Sequence, residues 1–101
     1  MDHPNSGSIQ IRNQVFLINA VYAVYRRSYG EAQKSLDNIR ASSKDFSWQD
    51  KIYQRVQDNL EDLLPDLLRA KEANNKELEE YARGAFLAFS FQIFDFHKQA
   101  I

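Results

Sequence analysis

An apolar heptad run over the first part of the chain constrains the fold more than any other feature of the sequence. Apolar residues recur at spacings that alternate between four and three: Ile11, Val15, Ile18, Tyr22, Tyr25, Tyr29, Ala32, Leu36 and Ile39. This spacing is typical of an amphipathic helix that packs against another helix. The 101 residues include only three glycines and two prolines, too few for the many turns of a β protein. The sequence therefore predicts an all-α fold.

Gly30 lies inside the heptad run and raises the question of whether the run forms one helix or two. Glycine is the preferred residue just past the end of a helix, which would place a turn here. The apolar residues after Gly30, however, keep the phase of those before it. We therefore predict one continuous helix over residues 9–41, preceded by a disordered tail over residues 1–8.

Two further helices are predicted from apolar stripes and capping residues. The second covers residues 48–71, with Ser47 and Asp50 as a capping box. Pro65 is expected to kink this helix without ending it, because the apolar stripe continues beyond the proline. The third covers residues 75–99 and is opened by Asn74. Its stripe and its aromatic second half contain five of the seven phenylalanines of the chain.

The predicted architecture is a single helical domain over residues 9–101, an antiparallel bundle of about three long helices. The first helix would span roughly 50 Å and overhang its neighbours. Leu17, Val21 and Val24 form a second apolar stripe beside the heptad run. Because one neighbouring helix cannot cover both stripes, we expect dimerisation to complete the bundle.

Aromatic residues supply the candidate partner-binding positions. Tyr22, Tyr25 and Tyr29 form a ladder along one face of the first helix, and Phe91 and Phe94 lie in the apolar half of the third. Tyrosine is enriched at interfaces, since its ring buries area while its hydroxyl stays hydrated. The boundary of a core would explain the tyrosine ladder equally well.

Catalytic and metal-binding chemistry has little support in the sequence. The absence of cysteine excludes zinc knuckles and thiol catalysis, and it fits the reducing cytoplasm. His3 and His97 are the only histidines, too few for a di-iron bundle. The carboxylates of the second predicted helix form an incomplete E-x-x-E motif for magnesium, because Leu64 stands where the second glutamate is required after Glu61. They are Asp58, Glu61, Asp62 and Asp66. We expect no cofactor and no metal.

Nucleic acids and membranes are also disfavoured as partners. The net charge is −1, and the local basic group Arg26, Arg27 and Lys34 is interspersed with Glu31 and Asp37, which weakens any attraction for phosphate. No apolar run approaches the roughly 18 residues of a membrane span.

The functional expectation follows by elimination. We expect a non-enzymatic, cytoplasmic protein-binding module, such as a small inhibitor, immunity protein, antiactivator or chaperone, whose partner is another protein and which itself forms a homodimer. A nucleic-acid-associated helical regulator is the alternative, and its binding would weaken steeply with salt. An all-α metal-dependent nucleotide hydrolase using the carboxylates of the second helix is less favoured.

Overall fold

The computed structural model describes residues 7–42 and 45–100, with side chains described as far as Ile93. These residues form four helices and no strand: α1 (Gly7–Tyr25), α2 (Tyr29–Ser42), α3 (Lys51–Glu72) and α4 (Lys76–Ala100). The all-α prediction is confirmed, with four helices rather than about three. Helix α1 begins inside the predicted tail, of which residues 1–6 lie outside the described residues.

The predicted continuous first helix is wrong, because a short turn divides it into α1 and α2. Arg27 adopts a left-handed conformation with φ of 65°. The N–H groups of Ser28 and Arg27 donate to the carbonyls of Ala23 and Val24, at 2.8 and 3.0 Å, which is the bond pair of a Schellman motif. The left-handed residue is therefore an arginine. Gly30, in contrast, has no positive φ and lies in the first turn of α2.

The start of α3 differs from the predicted capping box. The helix begins at Lys51, three residues later than predicted, and Asp50 is its N-cap. The Asp50 side chain accepts a hydrogen bond from the backbone N–H of Ile52 at 3.0 Å, so Ser47 is not the capping residue. The helix runs through Pro65 without ending there, as the continuous apolar stripe indicated.

A second Schellman motif joins α3 to α4. The N–H of Asn75 donates to the carbonyl of Ala70 at 2.8 Å, and that of Asn74 to Lys71 at 3.1 Å. Asn74 has a φ of 56° and occupies the left-handed position. The predicted capping role passes to the next residue, because Asn75 Oδ1 accepts from the N–H of Leu78 at 3.2 Å.

The helices pair as two hairpins, α1 with α2 and α3 with α4, and the hairpins pack on one another around one core. The molecule measures 46 × 30 × 17 Å, which is about two helices thick. In such a shape each helix turns one side toward the core and the opposite side outward. Which side of α1 faces outward therefore decides what surface the molecule offers.

The connection between α2 and α3 is fixed by a buried tryptophan and a buried glutamine. Trp48 is fully buried, and its indole Nε1 donates to Gln57 Oε1 at 2.6 Å. Gln10 of α1 donates through Nε2 to the carbonyl of Ser47 at 2.8 Å and accepts from the N–H of Gln49 at 3.2 Å. These bonds hold the N-terminal half of α1 against the connection, while Ile11 and Val15 on another side of the helix stay exposed.

Candidate functional site

Helix α1 carries two apolar stripes, and the core covers only one of them. Leu17, Val21 and Val24 are completely buried. The heptad residues on the other side stay largely accessible, with exposed fractions of 63% for Ile11 and 51% for Val15. The second stripe noted in the sequence is therefore the core stripe, and the heptad run faces outward in α1.

Aromatic side chains from two helices meet at the C-terminal end of this outward side. Tyr22 and Tyr25 are 50% and 55% exposed. Their ring centroids lie 6.0 and 6.3 Å from that of Phe91 in α4, in tilted arrangements that aromatic pairs favour. Phe91 is half-buried and packs against the core, so it anchors the two tyrosines. The structure thus brings together three of the five predicted partner-binding residues.

We refer to this outward side as the α1 face and define it by the five heptad residues of α1 and the adjoining phenylalanine of α4. Its members are Ile11, Val15, Ile18, Tyr22, Tyr25 and Phe91. Arg12 is the only charged residue in the whole of α1, so the face carries almost no charge. A contiguous apolar and nearly uncharged helix side that remains accessible is characteristic of an interaction surface.

Arg83 of α4 supports the aromatic end of the α1 face. Its Nε donates to the carbonyl of Val24 at 3.2 Å, and its Nη2 donates to the carbonyl of Tyr25 at 2.5 Å. The guanidinium also lies 5.5 Å from the centre of the Tyr25 ring, within the range of a cation–π contact. Arg83 thus provides a partner for the Tyr25 carbonyl at the end of α1 and a second hydrogen bond to the Val24 carbonyl, which also accepts from the N–H of Arg27. Sequence reasoning missed Arg83, because only the fold places it beside α1.

Tyr29, the third member of the predicted tyrosine ladder, does not belong to this surface. It is 1% exposed, and its hydroxyl donates to Glu79 Oε2 at 2.5 Å. Burial, followed by the hydrogen bond to Glu79, raises the pKa of Tyr29 well above its ordinary value. The prediction that the three tyrosines share one face is wrong, since the turn at Arg27 separates Tyr29 from the other two.

The environment of Tyr29 is a polar cluster that ties the two Schellman turns together. Arg27 forms ion pairs with Glu80 and, at 3.8 Å, with Glu79. Lys71 Nζ donates to the carbonyl of Arg27 at 2.7 Å and lies 5.3 Å from the Tyr29 ring centre. Each charged group faces an opposite charge or a carbonyl oxygen, which is the pattern of a structural tie.

Phe94, the fifth predicted partner-binding residue, has its backbone in α4, but its side chain lies outside the described residues. The same holds for His97.

The carboxylates of α3 do not converge on one site. Asp58 accepts from Gln54 at 2.8 Å, and Glu61 forms an ion pair with Arg40 at 3.1 Å. Asp66 pairs with Arg69 one turn along the helix. Among the described residues, no group of three or more histidine, aspartate or glutamate side chains is placed to hold a metal ion.

The basic residues considered for phosphate binding are largely engaged with acidic ones. Arg26 pairs with Glu31 at 3.3 Å, and Arg27 pairs with two glutamates as described above. Lys34 lies with Arg26 and Glu31 around one shallow depression. The carboxylate in this depression counters the field that would attract phosphate.

A shallow groove of about 430 Å³ lies between α3 and α4 and is a second concave feature of the molecule. It is lined by Ile52, Arg55, Phe89, Gln92 and Ile93. The Arg55 guanidinium lies 5.7 Å from the centre of the Phe89 ring. The lining thus combines one cation and one amide with three apolar side chains.

Within the described part of the chain, none of the helices combines the length and the apolar character needed to cross a membrane. Comparison with known protein families, with characterised proteins and with solved structures finds no match to this chain. What the chain does is therefore inferred from its own geometry.

Proposed function

We propose that the chain is a non-enzymatic protein-binding module whose binding surface is the α1 face. The observation that carries this proposal is the exposure of Ile11, Val15, Tyr22 and Tyr25, four large apolar residues at heptad spacing on one helix. In water, burying such side chains is worth roughly 25 cal/mol per Å². A protein partner that covers the face would therefore gain binding energy along its whole length.

The composition of the α1 face also supports a protein partner. Its C-terminal end presents two tyrosines and a phenylalanine, which are enriched in protein interfaces and supply large area with few rotatable bonds. Phe91 and Arg83 fix the position of Tyr25 before any partner arrives. Such pre-organisation lowers the conformational entropy lost on binding.

Other exposed apolar residues lack this organisation. Leu78 and Tyr81 are accessible on α4, but the exposed carboxylates of Glu77 and Glu80 stand beside them in the sequence. The α1 face, in contrast, extends over four turns, with Arg12 as the only charged residue of α1 and Arg83 of α4 against its aromatic end. Binding energy is therefore concentrated on α1.

The module proposed here is of the kind represented by small inhibitors, immunity proteins, antiactivators and chaperones. We place it in the cytoplasm, because a chain without cysteine has no disulfides to gain from an oxidising compartment. The predicted dimerisation would be one form of the same partnership, with a second copy as the protein bound.

Affinity capture from a lysate of the source organism tests the proposal. Tagged wild-type protein is compared with Val15→Glu, which places a charge in the α1 face, and with Asn38→Glu, a matched control at an exposed position of α2. Circular dichroism establishes that each variant keeps its helix content.

We expect wild type and Asn38→Glu to retain a protein in stoichiometric amount, either a different protein or the untagged chain, and Val15→Glu to lose it. Equal retention by all three, or no retained protein, would overturn the proposal. Salt-sensitive retention of nucleic acid by all three would favour the helical regulator instead.

A further inference from the structure

We propose that the α1 face is occupied by the α1 face of a second copy of this chain, with the two helices antiparallel. This inference rests on the proposed function and names its partner. Four properties of the face support it: its length and spacing, the gradient of side-chain size along it, the placement of Arg12, and its accessible area.

The spacing of the exposed residues fits a helix as the occupant. From Ile11 to Tyr25 the face spans 15 residues in α1, about 21 Å at 1.5 Å per residue. Apolar residues at alternating spacings of three and four form the seam that packs against another helix with knobs in holes. The α1 face has this seam. Among the described side chains, Phe91 and Arg83 of α4 contact its aromatic end, while Ile11, Val15, Tyr22 and Tyr25 stay 50% or more exposed.

The size of the side chains changes along the face in a way that suits antiparallel self-pairing. The N-terminal half is aliphatic, with Ile11 and Val15, whereas the C-terminal half is aromatic, with Tyr22, Tyr25 and Phe91. In an antiparallel pair, the aromatic half of each copy lies against the aliphatic half of the other. In a parallel pair, tyrosine would oppose tyrosine and hold the two helices apart, so the smaller aliphatic side chains would pack loosely. Interfaces, however, pack as densely as protein interiors.

The charge next to the face selects one antiparallel register. Setting Tyr22 against Ile11 of the second copy places Arg12 beside Asn19 of the second copy, which is uncharged. Sliding the helices by one heptad would place Arg12 beside the Arg26–Glu31 ion pair of the second copy, so that two guanidinium groups would compete for one carboxylate. The first register buries the heptad residues of both copies without opposing like charges.

The accessible side chains of the face supply about half of the area that a standard dimer interface uses. About half of each of the side chains of Ile11, Val15, Tyr22 and Tyr25 is accessible, which corresponds to roughly 400 Å² of surface. A standard interface buries about 800 Å² per partner. The four residues thus account for about half of that area.

The mass in solution gives the first test, made on the full chain. Sedimentation equilibrium of wild type and Asn38→Glu should give twice the monomer mass of 11.8 kDa. Val15→Glu should raise the dimer dissociation constant by more than about 100-fold, since it would bury an unpaired charge. Tyr22→Glu is a second variant with the same expected effect, at a position that is half exposed in the monomer.

The orientation is tested by disulfide trapping, which the absence of native cysteine makes specific. Ile11→Cys and Tyr22→Cys proteins are oxidised separately and as a mixture. The antiparallel register predicts that the mixture forms a disulfide between the two variants and that each variant alone forms little.

Self-linkage of each variant alone would contradict the antiparallel orientation, and the absence of any linkage would contradict the interface. A dimer that Val15→Glu leaves intact would place the contact elsewhere. A monomer at all concentrations would overturn the second copy as occupant. The proposed function would survive that last result if affinity capture still retained a different protein through Val15, so the two failures are distinguishable.

Discussion

The two halves of the heptad run have the same sequence spacing but opposite positions in the molecule. In α2 the residues in register, from Tyr29 to Ile39, are buried, whereas in α1 those from Ile11 to Tyr25 are largely accessible. The turn at Arg27 separates the halves, so the register that marks the core side of α2 marks the outer side of α1. A continuous apolar pattern thus identifies which residues share a helix side, but it does not tell which side is buried.

The largest expected effect compares two isoleucines of the same run. Ile39→Ala removes a side chain that is 1% exposed, and we expect it to lower the free energy of unfolding by about 2–5 kcal/mol. Ile11→Ala should change it by no more than about 0.5 kcal/mol, since that side chain is 63% exposed. Urea unfolding is measured at concentrations at which the chain is monomeric. Equal losses for the two variants would contradict the assignment of the two sides.

The next comparison uses the tyrosines of the two halves. Tyr29→Phe removes the hydroxyl that donates to the buried Glu79. We expect the free energy of unfolding to fall by about 1.5–3 kcal/mol, the usual contribution of a hydrogen bond to a charged group. Tyr22→Phe should have almost no effect, because the Tyr22 side chain is half exposed. If Tyr29→Phe leaves the free energy of unfolding unchanged in the same urea experiment, the buried hydrogen bond does not stabilise the fold.

The pH dependence of stability should carry a signature of Tyr29. Its pKa is raised in the folded state, while in the unfolded chain it titrates near the ordinary tyrosine value of about 10. Above that pH the unfolded state releases the proton and the folded state keeps it, so stability falls as pH rises.

The contribution of the Tyr29 hydroxyl to the free energy of unfolding is fully present below a pH of about 10. Above that pH it declines by up to about 1.4 kcal/mol per pH unit. The stability difference between wild type and Tyr29→Phe, measured by urea unfolding from pH 8 upward, should therefore shrink above that point. A difference that stays constant would mean that the hydroxyl has its ordinary pKa.

The smallest effect concerns the glycine beside the turn. Gly30 has no positive φ, and a Cβ added there would meet no atom within 4 Å. We expect Gly30→Ala to raise the free energy of unfolding by about 0.5–1 kcal/mol, because alanine loses less backbone entropy in a helix. Thermal unfolding provides the measurement. A large loss would show that the left-handed conformation of the turn lies at Gly30 and not at Arg27.

Most of the helices could be predicted from the sequence, because their signals are local. The stripe of α3 and the glutamate-rich start of α4 predicted two helices to within a few residues of their observed ends. The break between α1 and α2 could not be predicted in this way. Its left-handed residue is Arg27, whereas glycine and asparagine are the usual residues there, and its ion pairs with Glu79 and Glu80 come from a distant part of the chain.

The candidate site was predicted only in part for the same reason. The sequence identifies Tyr22, Tyr25 and Phe91 as candidate interface residues, and the structure places Phe91 against both tyrosines. The aliphatic half of the face belongs to the heptad run, but the sequence does not mark it as a surface. The side of α1 that is buried depends on the bonds of Gln10 to the connection and on core packing by the other stripe. No local sequence pattern marks Arg83 as part of the site, because only the fold places it beside α1.

Site-specific photo-crosslinking in the source organism tests the central claim most directly, that the α1 face is covered by a protein partner. A benzophenone amino acid replaces Tyr22 on the face or, as a matched control, Tyr81, which is 77% exposed on α4. The predicted result is a strong adduct with a protein from Tyr22, whether a second copy or another chain, and little from Tyr81. Equal yields from both positions, or no adduct from Tyr22, would contradict the claim.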